Sequence, residues 1–392
     1  MYVGSLAERS VGVLQGGGLS STALGIWLAE RGVDAHHLIA DIGQAPRAEL
    51  EAVVAAWRAQ GAPATLVDLR APMAALALDL VRYQARHDGG YWNTTGAARL
   101  VLVEQLAPRL VAEGHSVLAH GCVGGGNDQR RFARYTARFA PGLDVYAPWI
   151  DPSALRRFPG REAMLDAVQA AGLPLDEGSG ADWSTDASLA GASHESAALE
   201  DLRVPVDART LRPRWSRWPA DAPDDPRTVT VTVAEGRITD IDGSGPDPIA
   251  ILLRAGELGA HHGVWLRDVV ERRIIGTVCR GVYEAPALEV LGAAWQRVLQ
   301  TSLDQPSRAL YEQLSGTLGA AVYEAWYADP AAVSARAALD ALLERASATV
   351  TLTLHRGTAR PTAVDVTASG ALQQTRFGTG GNRWREPLTA AV

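Results

Sequence analysis

Val11-Gly12-Val13-Leu14-Gln15-Gly16-Gly17-Gly18-Leu19-Ser20-Ser21-Thr22 is the stretch that decides the fold. A short apolar run leads into three successive glycines. The next segment, 19–31, has helical spacing, with Leu24, Trp27 and Leu28 on one face. Strand, glycine turn and helix in that order open a βαβ unit. The glycines let backbone N–H groups approach a phosphate, and the helix N-terminus adds a favourable dipole. The loop is neither the lysine-bearing P-loop nor GxGxxG. A plain tight turn with a serine cap explains it equally well.

The same alternation continues downstream. Residues 35–40, 65–69 and 117–120 read as further strands, and 49–60 and 100–113 as helices. This is an α/β pattern with a parallel sheet, in which ligands collect at the carboxyl ends of the strands. After Pro148 one more helix, 157–171, closes the pattern. Two antiparallel hairpins follow, 228–233 with 237–241 and 349–354 with 362–366. Between them lie helical stretches at 291–314, broken near Pro306, and at 332–345. The expected organisation is a nucleotide-binding domain at 1–170, an α+β domain at 171–370 and a tail at 371–392. The proline- and charge-rich segment 203–227 reads as a surface excursion.

Composition narrows the function. The chain has 392 residues and a formal net charge of −7, with no basic run. Nucleic acid is a poor partner for such a chain. All 37 basic residues are arginine, which excludes Schiff-base chemistry. Cys122 and Cys279 are the two cysteines, too few for a disulfide framework, and no Cys/His spacing supports a structural metal. Met1 to Ser10 does not read as a secretory leader, and no run of 18 apolar residues suggests a membrane span. The expected location is the cytoplasm.

Four clusters carry candidate chemistry. The glycine loop is the first. The second is His120-Gly121-Cys122-Val123-Gly124-Gly125-Gly126-Asn127-Asp128-Gln129-Arg130-Arg131-Phe132, which follows a strand. There Asn127 and Asp128 suit an amino-acid head group, and Arg131 can hold a carboxylate bidentately. A glycine turn with a helix cap is the bland alternative. The third is Trp183-Ser184-Thr185-Asp186 with Ser193-His194-Glu195, which a capping-rich loop also explains. The fourth is Glu271-Arg272-Arg273-Ile274-Ile275-Gly276 with Arg280-Gly281-Val282-Tyr283-Glu284-Ala285-Pro286, whose charges also suit a solvated face.

Taken in order, these motifs, with Asp41-Ile42-Gly43-Gln44 and Ala147-Pro148-Trp149, closely resemble the argininosuccinate synthase family, from about residue 10 to about residue 345. The resemblance implies a nucleotide-binding domain of the adenine nucleotide α-hydrolase (PP-loop) type, followed by a synthetase domain. It implies an ATP-dependent C–N ligase. ATP with Mg2+ activates the ureido oxygen of citrulline as an adenylate, and the amine of aspartate displaces AMP. Gly16, Gly17, Gly18, Ser20, Ser21, Thr22 and Gly121 become the nucleotide contacts. Tyr91, Thr95, Arg99, Val123, Asn127, Asp128, Arg131, Ser184, Ser193, Glu271 and Tyr283 become the substrate contacts, with Asn127, Asp128 and Arg131 as the catalytic group. Small amino acids are the implied partners, and a homo-oligomer, a tetramer, the implied assembly.

Several positions depart from the family. Its loop reads SerGlyGlyLeuAspThrSer, so Gly16 lacks a hydroxyl and Ser20 an acid, while Thr22 keeps the closing hydroxyl. Val123 replaces a threonine that contacts aspartate, Gly125 a lysine, and Gly96 a serine. Arg130 is a candidate replacement for the lost charge. Two readings follow. One is an ATP-dependent ligase of the family that joins citrulline or a similar amino acid to aspartate or a replacement amine, with ordinary argininosuccinate synthesis as the default. The other is a diverged homologue that binds an amino acid or nucleotide in a structural or regulatory role without adenylating it.

Overall fold

The computed structural model describes residues 2–123, 125–175 and 184–366. Trp183, Gly124 and the 371–392 tail lie outside the described residues. The first part runs β1 (Val11–Gln15), α1 (Leu19–Glu30), β2 (Ala35–Asp41), α2 (Arg47–Ala59), β3 (Ala64–Asp68) and α3 (Arg70–Arg82). A two-residue pair follows, β4 (Arg86–His87) and β5 (Tyr91–Trp92). Then come α4 (Thr94–Ala112), β6 (Val117–His120), α5 (Asn127–Phe139), β7 (Asp144–Tyr146), α6 (Pro152–Arg157) and α7 (Arg161–Ala170).

Strands β3-β2-β1-β6-β7 form one five-stranded sheet, and every pairing in it is parallel. All five residues of β1 are buried, as expected for a strand covered on both faces. Val11 and Val13 pack with Leu24, Trp27 and Leu28 of α1 on one side. Leu14 packs with Leu100, Leu106 and Leu110 of α4 on the other. The strand order reverses between β1 and β6, so a crevice opens beyond their carboxyl ends.

The second part holds β8 (Ser184–Ser188), β9 (Gly191–Glu195), α8 (Ala197–Glu200), β10 (Arg227–Ala234), β11 (Arg237–Ile241) and α9 (Pro248–His261). It continues with β12 (Leu266–Arg272), β13 (Val278–Glu284), α10 (Pro286–Ser302), α11 (Gln305–Glu324), α12 (Pro330–Leu343), β14 (Ala348–His355) and β15 (Thr358–Asp365). The two expected hairpins fuse into one four-stranded sheet, because β10 pairs with β14. Glu235 and Gly236 both take positive φ, as a tight two-residue hairpin turn requires. The break between α10 and α11 falls at Asp304, whose side chain caps α11 by accepting from Ser307 N at 2.8 Å. Pro306 sits in the first turn of α11 rather than inside a helix.

Two expectations change. The third and fourth clusters are not a capping loop and a solvated face. They form a second antiparallel sheet, β12-β13-β9-β8. The strands escaped notice because their inward residues are serine, histidine, tyrosine and glutamate rather than aliphatic. The 203–227 segment is also more than an excursion. Glu284, fully buried, accepts from the backbone amides of Arg214, Trp215 and Ser216 at 2.7–2.9 Å and from His194 Nε2 at 2.9 Å. Burial alone would raise its carboxyl pKa, but these hydrogen bonds outweigh it and hold the value below 4.5.

Glu284→Ala strands three amides and a histidine, and should cost about 3–5 kcal/mol in urea unfolding near neutral pH. A depressed carboxyl stabilises above its unfolded pKa and loses that contribution as pH falls through the folded value. The gap between wild type and variant should therefore shrink below about pH 4. A gap that stays constant with pH, or one under about 1 kcal/mol, contradicts the role assigned to Glu284.

Candidate active site

Two glycine loops meet at the switch point. The β1–α1 loop turns at Gly17, with φ +75°. Ser21 Oγ donates to Gly18 O at 3.0 Å and accepts from Gly16 N at 3.3 Å. Gly121, after β6, lies against this loop so closely that a Cβ there would sit 2.7 Å from Ser21 backbone atoms. Trp149 Nε1 donates to Gly121 O at 2.9 Å, which gives Ala147-Pro148-Trp149 a structural task. Helices α1 and α5 both begin here on glycines, and neither has a side-chain cap. Their first-turn N–H groups therefore remain for an anion.

A cleft of about 460 Å3 spreads from these loops to the second sheet. At its deep end Glu271, from β12, accepts hydrogen bonds from the hydroxyls of Tyr91 and Tyr283, the latter at 2.7 Å. The two phenol rings stack at 4.0 Å. Burial and the Glu271 carboxylate push both phenols well above their ordinary pKa, so they stay protonated as donors. Beside them Tyr323 Oη accepts from Asn127 Nδ2 and donates to Arg272 O, each at 2.9 Å. Asn127 Oδ1 accepts from Ile274 N at 2.9 Å. Asn127 thus fastens α5 to the second sheet.

Asp128 is the electrostatic centre. Arg99 reaches its Oδ2 at 3.0 Å and Arg131 its Oδ1 at 2.8 Å. Arg99 also donates to Asp186 of β8 at 2.8 Å. Burial would raise the Asp128 pKa, yet the two guanidiniums hold it below the ordinary value. Arg131 Nε donates to Tyr323 O at 2.9 Å. Nη2 of Arg131 makes no hydrogen bond to a described residue. His120 stacks on Phe132 at 4.4 Å. Burial lowers the His120 pKa to about 4, so it is neutral near pH 7.

Most of the residues singled out from the sequence line this cleft: Gly16, Gly18, Ser20, Ser21, Gly121, Tyr91, Thr95, Arg99, Val123, Asn127, Asp128, Arg131, Ser184, Ser193, Glu271 and Tyr283. Gly17 and Thr22 do not. The Thr22 hydroxyl donates to Gly18 O at 3.0 Å, closing the first turn of α1 from within, and the residue is buried. Arg130 is exposed on the outside of α5, beside Ala133, Arg134 and Ile274, so it does not replace the charge missing at Gly125. A serine at position 96 has no room here, because a Cβ would lie 2.4 Å from Asn93 Nδ2 and 2.9 Å from Val322 O. Asn93 instead caps α4 through Gly96 N at 2.9 Å.

Sequence reading missed Tyr323 and Arg161 as lining residues, and quoted Arg273 and Glu195 only as members of motifs. Tyr323 sits in an ordinary helical pattern, and only the packing of α11 turns it inward. Glu195 was visible inside a motif. It reaches solvent at the cleft mouth, yet the surrounding protein desolvates it and Asp186 and Asp128 repel its charge, pushing its pKa from 4.5 to about 7.

Residues 11–174 match the arginosuccinate synthase N-terminal HUP domain, and residues 183–370 match the arginosuccinate synthase C-terminal domain. The chain belongs to the argininosuccinate synthase family. The parallel sheet with its switch-point crevice is the HUP-type α/β fold of that family's nucleotide-binding part. The family is one of ATP-dependent ligases. Among solved structures, a predicted subunit of tRNA methyltransferase from Methanocaldococcus jannaschii DSM is similar at 16% identity and TM-score 0.27. That match covers 42% of this chain and 89% of that one, and at such a score it carries no argument. Among the described residues, no helix is long and apolar enough to cross a membrane.

Glu195 gives this argininosuccinate-synthase-family cleft a pH signature. A carboxyl whose folded pKa is raised loses stability as pH climbs from about 4.5 to about 7. Glu195→Gln should leave Tm unchanged near pH 4 and raise it at pH 8. Equal wild-type and variant Tm at both pH values would rule out the raised pKa.

Proposed function

We propose that this protein is an ATP-dependent C–N ligase. It activates the ureido oxygen of citrulline, or a close relative, and joins the activated carbon to an amine less anionic than aspartate. The observation that carries the reading is the pairing of one cleft's two ends. Uncapped helix N-termini and a glycine loop lie at one end, and a carboxylate held by two protonated phenols at the other.

In this reading the phosphates rest on the amides of α1's first turn, with Ser20 and Ser21 facing them. Glu271 receives the α-ammonium of the acceptor, while Tyr91 and Tyr283 fix its carboxylate. Arg131 offers its remaining Nη2 to the acceptor carboxylate. Thr95 and Ser193, joined to each other at 3.0 Å, give hydroxyls along the middle, and Ser184 stands beside them on the second sheet. ATP supplies the chemical drive by making the ureido oxygen part of an AMP leaving group, with pyrophosphate released. The chain's own residues hold the reactants in line and exclude water, which is the larger share of catalysis when the leaving group is already activated. Both oxygens of Asp128 are taken by arginines, so Mg2+ is assigned to the phosphates rather than to this carboxylate.

The amine preference rests on electrostatics. Val123 presents methyls at the rim, where it is 61% exposed. Asp186, Glu195 and Glu200 line the same cleft, and crowding among acids contributes to the raised Glu195 pKa. A dicarboxylate amine would leave one carboxylate facing methyls, while Arg273 and Arg280 on the same cleft are already paired with Glu200 and Asp268. A neutral or cationic amine, including a hydrazine-like nitrogen nucleophile, does not meet that penalty.

Glu271→Gln should weaken citrulline binding about 10- to 150-fold, matching about 1.5–3 kcal/mol for a hydrogen bond to a charged group, with little change in ATP binding. Unchanged citrulline affinity would remove Glu271 from the acceptor site. In steady-state assays with ATP, citrulline and a panel of amines, aspartate should be a poor donor, and Val123→Thr should improve it. Efficient turnover with aspartate above all other amines would make the reaction ordinary argininosuccinate synthesis. No turnover with any amine, and no ATP binding, would favour the non-adenylating reading.

A further inference from the structure

We propose a second site, a binding site for a zinc-class divalent transition metal ion, built from His36, Glu113 and His115 at the end of the parallel sheet opposite the cleft. His36 is the second residue of β2, so it lies at the amino end of that strand. Helix α4 ends in a Schellman turn. Gly114, at φ +85°, donates to Val111 O at 3.1 Å, and His115 N donates to Leu110 O at 2.9 Å. This turn swings Glu113 and His115 to the same side, toward His36.

The three donor atoms converge. His36 Nδ1 lies 3.4 Å from His115 Nε2 and 3.7 Å from Glu113 Oε2, and His115 Nε2 lies 3.8 Å from that oxygen. Tetrahedral zinc with N and O ligands needs donor–donor separations of about 3.3–3.4 Å, so a contraction of a few tenths of an ångström closes the set. Two imidazoles and one carboxylate suit zinc and its neighbours rather than Mg2+ or Ca2+, and three protein ligands leave a fourth position for water.

The outer contacts are those of a built site. The far nitrogen of each imidazole meets a hydroxyl: His36 Nε2 with Thr65 Oγ1 at 2.9 Å, and His115 Nδ1 with Ser10 Oγ at 2.8 Å. With each hydroxyl accepting, the lone pairs of His36 Nδ1 and His115 Nε2 point to one spot. Arg109 Nε donates to Glu113 Oε1 at 2.6 Å, which orients the carboxylate and leaves Oε2 for the ion. Side-chain exposures of 19%, 32% and 10% for His36, Glu113 and His115 leave the group reachable from solvent. Bound metal would clip β2 and the approach to β6 together across the base of β1. Sequence spacing conceals the set, because His36 is far from the Glu113-Gly114-His115 pair.

The test uses the tag-free full chain. Zn2+ titration by calorimetry should show about one equivalent bound with a Kd in the micromolar range or tighter. Co2+ should give a visible d–d spectrum that Zn2+ displaces. Glu113→Gln, at a solvent-facing helix end, keeps the fold and should weaken binding at least 10-fold; His36→Ala should abolish it. Ser10→Ala or Thr65→Val should weaken it about 10-fold, as outer-contact changes do. Absence of saturable binding by wild-type protein, or equal affinity in wild type, His36→Ala and Glu113→Gln, would overturn the site and leave a hydrogen-bonded His–His–Glu cluster.

Discussion

Asp128 sits between two guanidiniums and gives each one carboxylate oxygen. Everything around the cleft hangs on that arrangement. Through Arg99 it reaches α4 and, by Asp186, the β8 edge of the second sheet. Through Arg131 it reaches the carbonyl of Tyr323 on α11. Removing one member would strand a buried charge, at a cost of about 3–5 kcal/mol. The network therefore fixes the positions of the parallel sheet's crevice and the antiparallel sheet relative to each other. It also engages Arg99 and Arg131, two of the guanidiniums that line the cleft.

Sequence reading captured most of the parallel unit because its signal is strong: short apolar strands, glycine turns and amphipathic helices in alternation, with β1 and β6 fully buried. It lost the β12-β13-β9-β8 sheet because polar and aromatic side chains replace the usual aliphatic pattern there. Strands whose inward faces carry Ser193, Glu271 and Tyr283 do not show aliphatic alternation. Helix α3 was not read from the sequence; its Pro72 lies in the first turn, where a missing N–H is harmless.

The departures from the family pattern now separate into two kinds. Gly96 belongs to packing, since Asn93 and the Val322 carbonyl fill the space a side chain would need. Val123 belongs to chemistry, since it faces the open cleft with nothing but methyls. Thr22, which looked like a retained phosphate contact, spends its hydroxyl on Gly18 O. Residue type and order alone could not distinguish these cases, because each depends on which neighbour the fold brings within a few ångströms.

The central claim is that one cleft holds nucleotide and ureido acceptor together for activation. ATP–pyrophosphate exchange in the absence of any amine tests it most directly. The account predicts exchange that requires citrulline or a close ureido analogue and disappears when Glu271 is replaced by glutamine at limiting acceptor. Exchange at the same rate without an acceptor, or none with any ureido compound at saturating ATP, would contradict it.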